Sequence, residues 1–557
     1  SQLASLVGSY LLLPFAMLLP LAEAVPDTSL MNAWFEMTSA LTTTGATVFD
    51  PARLSDTVHL WRATMGWFGG YLILLGAYAI LAPLNLGGFE VATGRVPGRG
   101  TASTIPRAGE MGPALRLTRL GFRLLPIYVA LTAVLWLGLL LAGETATTSL
   151  IHAMGTLSTS GIAGRSGLGT GEAGLLGEGL VLLFLIFALS HRALKRLGIG
   201  RTEALHRDPE LRLAAALIVT VTLIFGLLHA MAAIDPDGAP LSGLLSALWG
   251  ALFTAASFLS TTGYVSVHWP QALEGSGVGA PGLLLLGLAL VGGGVATTAG
   301  GVKLLRVYAL LRQGERELER IIHPNSVAGR GSDARRLRSD GAQLAWVFFV
   351  LFAAAIAIVM AALLLSGQEF EPALVLSLSA LTTTGPLADL AGTAPISYAD
   401  MPSKVKITLG LAMIVGRLET LALFALFLFA GLYLKKNFFK YIFEKTFHYT
   451  QKGWDQFTWS FAWFFVATAV ANEVVRLAYA PGNTYNLLGY TMDGVNVWIL
   501  FKVAIIMPAS GLYAWLLTRI MAKHAIPDPS RKDVVATAAS GVPVAHKKPA
   551  PDATPAA

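Results

Sequence analysis

The sequence predicts an all-α polytopic membrane protein made of four related units around one axis, with about two extra C-terminal transmembrane helices. Three observations carry that expectation: charge is sparse, apolar runs are long, and one short motif occurs four times. Only 13% of the 557 residues are charged and 54% are apolar, whereas a soluble domain carries about 25% charge. The runs from Leu120 to Gly143, Leu211 to Ala233 and Ala342 to Leu365 reach the roughly 20 residues that cross a bilayer core as a helix. Leu-Thr-Thr-Thr-Gly stands at 41–45 and again at 381–385, with Leu-Ser-Thr-Ser-Gly at 157–161 and Leu-Ser-Thr-Thr-Gly at 259–263. The four glycines, Gly45, Gly161, Gly263 and Gly385, are 116, 102 and 122 residues apart. Recurrence at a near-constant period marks an internal repeat.

Every unit has the same internal order. A long apolar span comes first, then a short helix-length piece, the Thr/Ser-rich turn, and a second long span. In the first unit these are Leu3 to Leu21, Leu30 to Leu41, Thr42 to Thr47 and Val58 to Leu81. The short pieces, about 12 to 16 residues, cannot cross a bilayer and read as re-entrant segments. Irregular backbone at membrane depth survives only where protein or water covers it. Four such units around one axis would cover each other and enclose an aqueous path. The units divide at 1–100, 101–205, 206–325 and 326–432, with turns at 42–47, 158–163, 260–265 and 382–387.

Charge gives an independent orientation. The stretches Arg95 to Arg123, His191 to Arg212 and Lys303 to Arg338 are basic, while Glu23 to Asp56, Glu144 to Glu178, Asp235 to Glu274 and Glu369 to Asp400 are poor in Lys and Arg. The positive-inside rule puts the second set, and with it all four turns, on the outer face. The net charge of +7 therefore reflects membrane orientation, and no nucleic-acid partner is expected. With no cysteine, disulfide and thiolate chemistry are excluded. No signal peptide precedes the first span, and an N-terminal portion is expected to be missing. No Gly-Lys-Ser/Thr phosphate loop and no His-Glu-x-x-His metal pattern occurs, so no cofactor and no enzymatic activity are expected.

The turns suit an ion. Thr and Ser tolerate extended backbone, and Gly permits dihedrals closed to other residues. Carbonyls around Thr43, Thr44 and Gly45, Thr159, Ser160 and Gly161, Thr261, Thr262 and Gly263, and Thr383, Thr384 and Gly385 could replace the hydration shell of a monovalent cation. The short helices would aim their negative C-terminal ends at the same place. No carboxylate lies in the turns themselves, which disfavours a divalent ion. For any single copy the alternative is a plain helix cap; four copies on one membrane side favour a shared role. Arg165 follows the second turn, and a cation there opposes cation passage unless it is turned away or paired.

Two further features interrupt long spans. Gly292, Gly293, Gly294, Gly300 and Gly301 fall within ten residues, and at roughly 1 kcal/mol per Gly relative to Ala a helix cannot hold there. The expected result is an unwound loop lining the aqueous path, the alternative being close helix packing through small residues. Arg417 stands among apolar residues, and an intramembrane charge marks function by default; its alternatives are a local pair with Glu419 or snorkelling. Lys303 and Arg306 are expected to mark a cytoplasmic helix end.

The four turns, the stretch "GGGVATTAGGVKLLRV" from Gly292 and "GRLETLALF" from Gly416 together resemble the Trk/Ktr/HKT superfamily of potassium transporters, TrkH-type subunits in particular, over about residues 1–432. The resemblance implies four membrane–pore–membrane repeats around one pore, potassium as the translocated ion, and the turns as its selectivity filter. It also implies that residues 292–301 form an intramembrane gate neighboured by Arg417. Further implications are a homodimer in the bacterial inner membrane with the filter facing outside, and a cytoplasmic ring of TrkA-like nucleotide-binding regulatory subunits. Departures exist: His152, Thr254 and Leu376 stand where Glu36 precedes the first filter Gly by nine residues, so the units are not equivalent. Sodium, ammonium or proton-coupled transport remain alternatives.

From about Gly431 lysines and aromatics appear. Gly453 with Trp454, Asn472 with Glu473, and Trp498 with Phe501 and Lys502 resemble the C-terminal half of intracellular septation protein A, the YciB family. This gives a transmembrane segment at 433–525, and the Pro/Ala/Lys-rich residues 526–557 read as a disordered tail. A division or envelope scaffold that moves no ion is the reading from a different class.

Overall fold

The computed structural model describes residues 2–82, 88, 113–165, 167–168, 171–196, 205, 208–232, 243–274, 281–322 and 339–418, together with scattered positions after 450 that include 484–487 and 490–493. The chain divides into two compact units, 1–425 and 426–557.

In the first unit, long and short helices alternate. The first span is α1 (Gln2–Ala24), followed by the short α2 (Leu30–Leu41), and by α3 (Asp56–Gly76), which runs on as a π-turn over Ala77–Leu81. The next set is α4 (Pro113–Leu141), the short α5 (Ala146–Ser158) and α6 (Gly174–Phe184), extended by Ile186–Leu189 and then α7 (His191–Arg196). The third is α8 (Pro209–Ala232), the short α9 (Leu244–Leu259), α10 (Pro281–Val291) and α11 (Leu304–Ile322). The last is α12 (Ser339–Leu365), the short α13 (Phe370–Thr382) and α14 (Ser403–Leu418).

Among the described residues five helices are long and apolar enough to cross a membrane. On four of them, α1, α4, α8 and α12, most of the apolar surface faces outward, with Leu12, Phe122, Leu227 and Ile358 exposed. That is the expected surface for a protein dissolved in hydrocarbon, where Leu outside costs nothing. The fifth, α3, is mostly buried. The short helices are the opposite of lipid-facing: nearly every residue in the second half of α2, α5, α9 and α13 is inside. Twelve to sixteen residues at 1.5 Å per residue reach roughly 18–24 Å, less than the roughly 30 Å of a bilayer's hydrocarbon core.

The packing is cyclic. Each short helix lies on spans of its own set, and the following set's short helix lies on the previous set's second span: α5 on α3, α9 on α6, α13 on α10. The circuit closes where α14 packs on α2, tied at its end by Lys406 Nζ donating to Asn32 Oδ1 at 2.9 Å. Close approach is bought with missing side chains. A Cβ on Gly69 of α3 would stand 1.9 Å from the Leu41 carbonyl oxygen, and one on Gly416 of α14 2.2 Å from that of Leu381.

In the second unit the described residues include an antiparallel hairpin, Thr484–Leu487 with Tyr490–Asp493, paired from Thr484↔Asp493 to Leu487↔Tyr490. The described residues are otherwise helical, in line with the all-α expectation, and the hairpin is a small local addition to it. It falls between the two apolar stretches of the tail, where Tyr485, Asn486, Thr491 and Met492 alternate in strand fashion. The septation-like motifs and the tail 526–557 lie outside the described residues.

Gly69→Ala and Gly416→Ala should each destabilise by about 1–3 kcal/mol through overpacking. Gly8→Ala and Gly287→Ala, where a Cβ meets open space, should be neutral or slightly stabilising. Thermal melts of the detergent-solubilised protein separate the two pairs.

Candidate functional site

The four short helices end identically. Thr43, Thr159, Thr261 and Thr383 all adopt left-handed backbone, with φ between 54° and 58°. The next residue's N–H reaches back five positions: Thr44 to Ser39 O at 2.8 Å, and Ser160 to Gly155 O, Thr262 to Ser257 O and Thr384 to Ser379 O at 2.9 Å. This is the Schellman closure, with Thr where Gly is usual. A β-branched residue at positive φ is a true outlier, costing about 1–3 kcal/mol. The cap alternative therefore describes the local geometry, but it does not explain why four caps keep a strained residue.

The following glycines bring the turns together. A Cβ on Gly45 would stand 2.0 Å from Ser160 O, and one on Gly161 2.0 Å from Thr262 O. One on Gly263 would meet the Pro386 ring at 2.8 Å, and one on Gly385 the Ala46 nitrogen at 2.2 Å. Turn one touches turn two, two touches three, three touches four, and four returns to one. Gly45, Gly161 and Gly263 have φ of 74°, 62° and 83°, but Gly385 does not share this conformation. Its N–H instead donates to Thr44 O at 2.6 Å, and Pro386 follows it. The fourth turn thus departs from the other three.

Carboxylates hold the turns from behind. Glu36 of α2 accepts from Val48 N at 3.0 Å and from Arg62 Nε at 2.6 Å, both side chains buried. At the matching place in the third set, Thr254 Oγ1 accepts from Ser266 N at 3.3 Å. There the charge comes from Glu178 of α6, which accepts from Val267 N at 2.8 Å, Ser266 Oγ at 2.8 Å and Trp249 Nε1 at 2.6 Å. In the second set His152 Nδ1 lies 3.1 Å from Glu144 Oε1, both fully buried. Arg62, Glu144 and Glu178 were not singled out from sequence, although an acidic or basic residue next to an apolar span is the cue that would have found them. Arg165 is turned outward, donating to Leu54 O at 3.1 Å with Asp56 3.5 Å away.

The stretch between α10 and α11 is an ordered, non-helical loop. Gly292 and Gly301 have φ of 73° and 77°, and the strands of the loop join through Val302 N to Leu290 O and Lys303 N to Val291 O, each 2.9 Å. It touches three of the turns. Gly300 N donates to Thr261 Oγ1 at 2.7 Å, Thr159 Oγ1 donates to Thr298 O at 2.8 Å, and a Cβ on Gly300 would fall 2.1 Å from Thr382 O. Thr43 and Thr383 keep buried hydroxyls without a hydrogen-bond partner among the described residues.

Arg417 is buried at the end of α14 and shares a cavity of about 20 Å³, room for one water, with Ala296, Thr297, Gly300 and Lys303. The Tyr10 hydroxyl of α1 donates to Gly69 O at 3.2 Å; Glu419 lies outside the described residues. Lys303 and Arg306 do not mark a cytoplasmic surface, as expected, but are buried. Lys303 Nζ turns back to Ala299 O, and Arg306 lies 4.5 Å over the Phe348 ring.

Among the described residues one side-chain group has metal-like spacing. His191, Asp208 and Glu210 bring their ligand atoms within 4.8 Å. Their oxygens are already used: Glu210 accepts from His191 and Val295 N, and Asp208 from Ser190 and Glu210 N, with Arg192 3.8 Å away. Burial, then the Glu210 charge, pushes the Asp208 carboxyl above its usual range. A satisfied network with a guanidinium beside it is a structural cluster.

Together, outward-facing spans and a closed ring of re-entrant turns define a helical membrane protein organised around a central backbone-lined site. Residues 182–432 match the family model TrkH, described as cation transport protein, and residues 420–528 match intracellular septation protein A. The Trk system potassium uptake protein TrkH of Vibrio parahaemolyticus is 30% identical over 416 residues, 72% of this chain and 79% of that protein. TrkH of Salmonella typhimurium is 29% identical over 430 residues, covering 76% and 83%. The crystal structure of the potassium transporter TrkH from Vibrio parahaemolyticus superposes with a TM-score of 0.61 at 28% identity, covering 76% of this chain and 85% of that one. The chain belongs to the TrkH family of Trk-system proteins.

Removing one partner of a buried ion pair strands the other, at about 3–5 kcal/mol. Arg62→Met should therefore lower the melting temperature sharply, and adding Glu36→Gln should restore part of it. Equal melts for the single and double variants would show that the pair does not brace the first turn.

Proposed function

We propose that this chain translocates potassium through a selectivity filter formed by the four turns. The observation that carries the reading is the closed ring of strained Thr-x-Gly turns, each glycine set against the neighbouring turn. Such a ring presents carbonyl oxygens at fixed spacing, which suits a weakly hydrated monovalent cation. Four helix C-termini add negative potential at the same point. The driving force is electrochemical: about 2.3 kcal/mol per charge per 100 mV, roughly fifty-fold accumulation at that potential. No coupling reaction within the chain is required.

The loop 292–301 is the gate in this reading. While it holds the Thr159 and Thr261 hydroxyls, only Thr43 and Thr383 offer theirs to an ion at the inner end of the filter. Its release would complete a ring of four hydroxyls and open the path below. Arg417 and Lys303 place positive charge beside the loop, an added barrier to cations while it stays. A dimer in the inner membrane, with the filter outward and nucleotide-binding regulatory subunits of the TrkA kind at the basic cytoplasmic loops, completes the proposal. The septation-like segment is an appendage to transport, so truncation after residue 435 should leave uptake intact. Loss of uptake on truncation, with the remainder still in the membrane, would favour the scaffold reading.

The direct test is uptake by a potassium-transport-deficient host expressing the chain, with sodium and ammonium as competitors. Replacing Gly45, Gly161, Gly263 or Gly385 with Ser should lower potassium-over-sodium selectivity about tenfold, equivalent to roughly 1.4 kcal/mol. Unchanged selectivity in all four, at normal expression, would overturn the shared filter.

Deleting Gly292 to Gly301, or replacing Arg417 with Ala, should raise rubidium flux while leaving ion preference near the parental value. Lys at 417 should rescue only partly, because it lacks the planar fork of donors.

A further inference from the structure

We infer that Glu210 is the latch of the loop, a positioning residue that fastens Val295 to the His191 end of the second set and so holds the loop closed. The inference rests on the reading of 292–301 as a gate. Glu210 stands in the first turn of α8 with a fully buried side chain. Its Oε1 accepts from Val295 N at 2.8 Å, and its Oε2 meets His191 Nδ1 at 2.6 Å. Three separate segments of the chain therefore converge on one carboxylate.

The loop needs such an acceptor. Beyond Gly294 its backbone has left helical geometry, so a buried N–H must find a partner elsewhere. Gly294 N finds one in Ala188 O at 2.9 Å, just before α7. Val295 N finds one in Glu210, and a hydrogen bond to an ionised acceptor is about twice as strong as a neutral one. Close packing guards the contact: a Cβ on Gly294 would lie 2.7 Å from Leu189 O, and one on Gly293 2.6 Å from Ala188 O. The loop is thus moulded onto the end of the second set at the point where the latch sits.

Charged and titratable groups surround Glu210 among the described residues: Asp208, just before α8, shares its network, and His191 and Arg192 approach from α7. His191 is the member of the latch that reaches the surface, with its side chain 17% exposed while Glu210 has none. A displacement of α7 is accordingly passed to Val295 through one charge-assisted contact on each side of Glu210. The hydrogen bonds that join His191, Glu210 and Val295 do not involve the filter turns, so ion preference should stay near the parental value when the latch is weakened.

The test measures rubidium flux and the rubidium-to-sodium ratio in liposomes containing the full chain. Glu210→Gln keeps the shape and loses the charge, and should raise flux about tenfold, the worth of a charged over a neutral hydrogen bond. His191→Ala should raise it less, and neither should change the ion ratio. The chain has no cysteine, so Thr297→Cys reports loop exposure, and a soluble maleimide should label it faster when Glu210→Gln is added. Parental flux and labelling in Glu210→Gln, with the loop deletion raising flux, would overturn the latch and leave the gate standing. If the deletion leaves flux unchanged too, the gate reading falls and the latch with it. Should Glu210→Gln fail to reach the membrane, parental flux in His191→Ala overturns the latch on its own. A changed ion ratio in either variant also counts against it, because the filter would then be what moved.

Discussion

Four glycine α-carbons pressed against the neighbouring turns set the terms for the rest of the first unit. A Cβ on Gly45, Gly161 or Gly385 would fall 2.0 to 2.2 Å from backbone, and one on Gly263 2.8 Å from the Pro386 ring, which leaves little freedom in the placement of the turns. To bring them so close, the short helices must end together, and the left-handed threonines turn each chain sharply enough to do it. That conformation is unfavourable for a β-branched residue, so it must be held from outside. Glu36, Thr254 and Glu178 do the holding by accepting the N–H groups three or four residues beyond the glycines. The cyclic packing of the spans then fixes the helices that carry those side chains.

Related units do not make equivalent ones. The brace is an ion pair in the first set and a hydroxyl supplemented by a carboxylate from the preceding set in the third, while the matching position of the second set carries His152 beside the buried Glu144. The loop adds a second inequality, since it bonds the threonines of the middle two turns and not those of the outer two.

Much of this was legible in the sequence because the signals were physical and local. The short helix Leu30–Leu41 was read with its observed ends, since Ser29 caps it and the Thr run stops it. The glycine-rich break was legible because five glycines in ten residues exclude a helix. Lys303 and Arg306 were misjudged: a basic residue after an apolar span resembles a helix end at the interface. Only the folded loop shows that it turns both side chains inward, toward Ala299 O and Phe348. The braces were hidden for a related reason. Nothing local to Glu178 says that it serves a turn 85 to 89 residues away, because that pairing exists only once the spans have closed the circuit.

The bond from Gly385 N to Thr44 O fastens the fourth turn to the first through the backbone itself. A carbonyl oxygen carries two lone pairs, and the seam uses one of those on Thr44 O. The fourth turn, with its proline and its ordinary glycine, closes the ring like the clasp of a bracelet.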